Sequence, residues 1–279
     1  MRRNFAQVIK DAKIDVKVEY QKLYGMLFDR SIQVSNTKRI SAYDEFSDYF
    51  LYFFFRGTCL SLAEFDDLHG YHFDKEPSNF NIYHLVTLCE YIYNMLIEYC
   101  RVVGSQYGGP PFNVQLYQAQ IYQVVEAIGY MQANQDGFVI FTEKSPAAIA
   151  VAESDLIPEN VSYKLISYNH HAMKGQLETK KATLLQLASI LEGKRSELKQ
   201  ADETLERDLF YAFNNLNIRH NNTNPEDTKK FKEYVAKMSA DNLEFWYDEI
   251  YQMSLLAFMQ MEHIERKQAF DALKSAIER

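Results

Sequence analysis

Apolar residues recur at spacings of three and four along most of the chain, with polar and charged residues between them. Val8, Ile9, Ala12, Val16, Tyr20, Leu23, Tyr24 and Leu27 share one face on that spacing, which predicts an amphipathic helix over residues 5–30. After a polar break at Ser35-Asn36-Thr37, Ser41 or Asp44 is placed to cap a second helix running through the aromatic block to Phe55. Ser61-Leu62-Ala63-Glu64 has the form of a capping box, and Gly70 is a natural stop for the short helix it opens. Ile82, Leu85, Val86, Leu88, Cys89, Ile92, Leu96 and Tyr99 give residues 78–101 a broad apolar face. The glycines and prolines of residues 104–111 then punctuate the chain before a helix expected over 113–131.

Beyond that helix the period shortens. Residues 137–142 and 148–153 are apolar runs joined by Glu143-Lys144-Ser145-Pro146, which predicts a β-hairpin. Residues 156–171 carry no clear period. Helical spacing returns with Leu177, Leu184, Leu187, Ala188 and Leu191, breaks near Gly193, and continues through Leu198, Leu205, Leu209, Phe210 and Phe213. Pro225, followed by Glu226 and Asp227, suits the first turn of a helix carrying Phe231, Tyr234, Val235 and Met238. A last helix from Ser239 carries Leu243, Trp246, Ile250, Met253, Leu256 and Met261. The expected fold is therefore mainly α. It has an aromatic-rich helical N-terminal lobe (residues 1–132), a small β-hairpin with its connector (133–172) and a C-terminal four-helix up-down bundle (173–279).

Composition adds compartment and partner. At 279 residues the chain can bury a full core without staples. Three widely spaced cysteines, Cys59, Cys89 and Cys100, each within an apolar helical pattern, predict free thiols and a cytoplasmic protein. No apolar run approaches the roughly 18 residues of a membrane span. The net charge of −8 disfavours an obligate polyanion binder, although residues 160–240 are mildly basic, with 13 Lys and Arg against 10 Asp and Glu. The aromatic block over residues 43–55 contains no Lys or Arg, which excludes a base-stacking platform there and leaves a packed core or a small-molecule pocket.

The candidate chemistry lies in Asn214-Asn215-Leu216-Asn217-Ile218-Arg219-His220-Asn221-Asn222. Arg219 offers a planar fork that matches a phosphate, and His220 is the side chain best able to exchange a proton near neutral pH. Together they suit metal-free cleavage of RNA, in which the ribose 2′-hydroxyl attacks its own phosphate. Arg219 and His220 are the catalytic candidates. Asn215, Asn217, Asn221, Asn222, His170, His171 and Lys174 are the candidate substrate contacts, with Glu153 as a carboxylate partner. Adjacent histidines point apart on a helix or strand, so no metal is expected at His170-His171. Walker, HExxH and Gly-x-Ser-x-Gly patterns are absent from the sequence, and no cofactor is expected.

A helical bundle with an Arg/His element at the turn between inner helices resembles the HEPN superfamily, over about residues 150–265. The stretches Val151-Ala152-Glu153, 168–175 and 217–222 are also similar to bacterial proteins associated with phage defence. The family motif spaces Arg and His by four to six residues. Here the positions at that spacing from Arg219 are Asn224, Pro225 and Glu226, so the match carries over to Arg219 alone. The resemblance implies an antiphage or toxin-type protein, a metal-independent ribonuclease acting as a homodimer, with RNA as substrate. The alternative is a non-catalytic helical adaptor subunit of a defence complex.

Overall fold

The computed structural model describes residues 14–106 and 109–278, and the chain divides into two compact units, Met1–Phe141 and Thr142–Arg279. The start of the first expected helix, residues 5–13, lies outside the described residues.

In the first unit, Asp15 caps α1 (Val16–Phe28) by accepting the N–H groups of Lys17 and Val18, and Tyr20, Leu23 and Leu27 form its buried stripe. A short antiparallel ribbon, β1 (Ile32–Gln33) with β2 (Arg39–Ile40), follows. Ser41 and Asp44 close a reciprocal capping box on α2 (Ala42–Tyr49). That helix stops short of Phe55. Two 3-10 turns, Phe50–Tyr52 and Phe54–Arg56, replace its end, because the buried Glu98 carboxylate takes the Phe54 N–H at 2.8 Å. α3 (Leu62–His69) is capped by Ser61, which accepts the Glu64 N–H, and ends on left-handed Gly70 as expected; the capping box is not reciprocal, because the Glu64 carboxylate accepts the Leu60 N–H in place of that of Ser61. The long α4 (Ile82–Gln106) buries Leu85, Val86, Leu88, Cys89, Ile92, Leu96 and Tyr99 at the centre of this unit. Asn113 caps α5 (Val114–Ala127).

The hairpin exists, but its strands are β3 (Tyr130–Gln135) and β4 (Phe138–Glu143) rather than the expected 137–142 and 148–153. Asp136 and Gly137 both take positive φ (52° and 86°), the geometry of a tight hairpin turn that an Asp-Gly pair favours. The run assigned to the second strand is instead α6 (Pro146–Ala152), with Ser145 as cap and Pro146 in the first turn.

The second unit contains α6, α7 (Glu159–Ser167), a 3-10 turn (His171–Met173), α8 (Leu177–Gly193), α9 (Arg195–Ala201), α10 (Glu203–Asn215), a single turn α11 (Glu233–Ala236) and α12 (Ala240–Ile277). α12 is the axis, packed against α6, α8, α9 and α10. The helix expected from Pro225 forms only as the single turn α11, and its start does not form. Residues 223–230 offer no apolar side chain to bury, and Asn224 and Asp227 turn their side chains onto the N–H groups of Glu226 and Lys230. The chain is thus mainly helical with two small two-stranded antiparallel sheets. Among the described residues no helix is long and apolar enough to cross a membrane.

Candidate functional site

The candidate loop begins where α10 ends, with the Leu216 N–H still donating to Ala212. Asn217 then enters the left-handed region at φ 58°, which Asn tolerates better than most residues. The chain reverses there, and the Arg219 N–H donates to the Phe213 carbonyl at 3.0 Å. Asn222 holds the loop closed. Its side chain is fully buried, accepts the Asn217 N–H at 2.8 Å, and donates to the carbonyls of Asn214 (3.1 Å) and Lys230 (2.7 Å). The Lys232 N–H returns to the Asn222 carbonyl at 2.8 Å. One amide therefore supplies the backbone partners that a helix or sheet would otherwise give.

This overturns part of the expected substrate contact. Asn222 is inside the protein and its polar groups are engaged. Asn217 lies beside Tyr247, whose hydroxyl is pushed up to about 12 by burial and by Glu178, with Asn217 opposing. Asn215 turns back to donate to Tyr211 at 2.8 Å. Asn221 remains at the surface, where its carbonyl oxygen accepts from the Thr223 N–H and hydroxyl.

The two catalytic candidates are in different situations. The Arg219 guanidinium forms an ion pair with Glu192, near the end of α8, so its charge is already balanced. Glu153 is not its partner; it caps the C-terminal end of α6 beside Glu262, Glu265 and Arg266. His220 is half-buried, and its Nε2 lies 3.3 Å from the Lys230 ammonium, a neighbour that no sequence spacing links to it. Desolvation, then Lys230, then Arg219 hold the imidazole below its usual 6.5, with Asp227 opposing. His220 is therefore neutral at pH 7. Its contribution to stability is present above pH 6.5 and is lost as the pH falls through the depressed folded value. Replacing Lys230 with Gln should raise the His220 pKa toward 6.5 without restoring it fully, since desolvation and Arg219 remain. An imidazole NMR titration of wild type and variant measures this.

The chain matches no family model, no curated protein and no solved structure.

The other expected contacts lie on the connector before α8. His170 and His171 do not point apart as expected: their rings lie 4.3 Å apart, because the pair opens a 3-10 turn rather than a regular helix or strand. His170 Nδ1 accepts the Ala172 N–H at 3.1 Å. Lys174 acts electrostatically on Glu244 of α12 and so belongs to a second polar group.

That group centres on Lys180, which is 5% exposed. Its ammonium lies 2.7 and 3.0 Å from the two Asp248 oxygens and 2.7 Å from Glu244. Glu244 also accepts the N–H of Gly175, which fastens the connector to α12 at 2.8 Å. Gly175 has φ 78°, a conformation that costs glycine little. The Tyr168 ring stacks on Tyr251 at 4.0 Å, and Lys180 lies 5.4 Å from the Tyr168 centroid. The opposite charges satisfy one another, and the arrangement locks the connector and helices together. The sequence held a signal: Lys180 falls on the same helical stripe as Leu177, Leu184, Leu187 and Leu191, where a leucine is expected.

Proposed function

We propose that the loop over residues 214–232 is a metal-independent RNA-cleaving site, in which His220 is the general base and Lys230 the group that neutralises the phosphate. The observation that carries this is the neutral imidazole 3.3 Å from an ammonium group. Lys230 now donates to the ring lone pair. An entering phosphodiester draws the ammonium to its non-bridging oxygens and releases that lone pair for the ribose 2′-hydroxyl. His220 takes the 2′-proton, the 2′-oxygen bonds to phosphorus as the bond to the 5′-oxygen breaks, the 5′-oxygen takes a proton from water, and His220 afterwards returns its proton to solvent. The products are a 2′,3′-cyclic phosphate and a 5′-hydroxyl. Arg219 then has a positioning role, holding the loop to α8 through Glu192. An antiphage or toxin-type role, a homodimer and HEPN kinship go with this reading as expectations of the sequence resemblance.

A second reading has its own observation. The braced loop is flanked in sequence by Tyr211 and Tyr234, which are 69% and 79% exposed, an arrangement suited to a protein-recognition surface in a non-catalytic adaptor. Incubation of purified protein with total RNA in EDTA separates the two. The enzyme reading expects cleavage by wild type and a loss of about 100-fold or more in His220→Ala. Intact RNA with wild type, or equal cleavage by folded His220→Ala, leaves the adaptor reading standing.

A further inference from the structure

Met261 is the last buried side chain of α12. Residues 262–277, roughly 24 Å of helix, follow it with none buried among the described residues. A helix of that length is marginal in water unless one face is packed. This one nevertheless carries large apolar side chains, for Phe270, Leu273 and Ile277 are all more than half exposed. Counted back in threes and fours, their row continues through Arg266 and His263 to Met259 and Leu256, both exposed on the body of the unit. Leu256, His263, Phe270 and Ile277 thus take the a positions of a heptad, and Met259, Arg266 and Leu273 its d positions. The buried Tyr251, Phe258 and Met261 lie on the opposite face. A seam repeating every 3.5 residues over three heptads is the surface on which a second helix winds as a left-handed coiled coil.

Charge selects the occupant. Residues 262–279 hold four acidic and four basic side chains, so the segment offers no net charge to a polyanion or an anionic membrane and does not repel its own copy. Within the seam, the Arg266 guanidinium pairs with Glu262 one turn back, which balances its charge. The e positions beside the seam are Lys267 and Lys274. An antiparallel pair would set these lysines against those of the other copy. A parallel pair instead sets Lys267 against Glu262 and Lys274 beside Ala269. Glu262 already holds Arg266, and a carboxylate accepts from more than one donor. We propose that the heptad face of α12 is a homodimer interface, on which two copies of this chain wind residues 256–277 into a parallel two-stranded coiled coil. The inference rests on α12 alone and not on the RNA reading.

The test is sedimentation velocity of the full chain over about a hundredfold range of concentration, where a monomer–dimer equilibrium is expected. Leu273→Glu puts a charge into a d layer and should raise the dissociation constant about thirtyfold or more. If that variant does not fold, Phe270→Ala must raise it about tenfold in a folded protein. Gln268→Glu, on the outer face of the heptad, should leave it unchanged. Ile277→Cys treated with oxidised glutathione should cross-link into dimers that wild type does not form, because a parallel pair brings the two positions together. A wild type that stays monomeric, a dimer unchanged in the folded seam variant, equal weakening by Gln268→Glu, or no cross-link through Cys at position 277 overturns the proposal. His220→Ala should leave the dimer unchanged, so this result stands or falls separately from RNA cleavage.

Discussion

Asn222→Ala is expected to lower the stability of the second unit by about 3 kcal/mol, because it strands two carbonyls and one N–H that the buried amide now satisfies. Urea unfolding of the full chain followed by Trp246 fluorescence measures it, since that residue is the only tryptophan and lies on α12. Asn222→Asp sharpens the test. It keeps the shape but turns an oxygen toward the carbonyls of Asn214 and Lys230, so at neutral pH it should destabilise at least as much as alanine. A loss of under about 0.5 kcal/mol in Asn222→Ala, the range of ordinary surface substitutions, would mean that other contacts hold the loop.

Lys180→Met is expected to cost about 3 kcal/mol by leaving Glu244 and Asp248 without their shared cation. Asp248 is half-exposed and can rehydrate, whereas the Glu244 side chain is only 15% exposed. Burial pushes the Glu244 pKa up, but hydrogen bonds from Lys180 and Gly175 and the charges of Lys180 and Lys174 outweigh it, and the net value lies below the usual 4.5. A depressed folded pKa stabilises above pH 4.5, and that contribution disappears as the pH falls through the folded value. The difference between wild type and Lys180→Met should therefore be largest near neutrality and shrink below pH 4.5. Adding Glu244→Gln to Lys180→Met should recover part of the loss. Equal stability of wild type and Lys180→Met at pH 7 would contradict this role for Lys180.

Much of the helical layout was legible in the sequence because it is local. Ser41 and Ser61 cap where their spacing predicts, and Gly70 ends α3. The hairpin departs from its expected register because Asp136-Gly137 makes the turn, while Ser145-Pro146 opens a helix. Pro225 with its acidic neighbours resembles a helix start, but of the apolar residues behind it only Val235 is buried, and the helix is reduced to the single turn Glu233–Ala236. The site was harder for a related reason. Arg219 with His220 was visible, yet Glu192 lies 27 positions before Arg219 and Lys230 lies 10 positions after His220, and no periodicity links them. Asn222 could be counted among loop asparagines. That it alone is buried follows from the way the loop closes on it.

The most direct measurement uses one RNA oligonucleotide and its fully 2′-O-methylated counterpart, each incubated with wild type and His220→Ala in EDTA, with the product ends identified. Attack by a 2′-hydroxyl activated by His220 requires that wild type cut only the unmodified strand, leave 2′,3′-cyclic phosphate ends, and lose the activity in the variant. Uncut RNA with wild type, cleavage of the methylated strand, or undiminished cleavage by His220→Ala would contradict it.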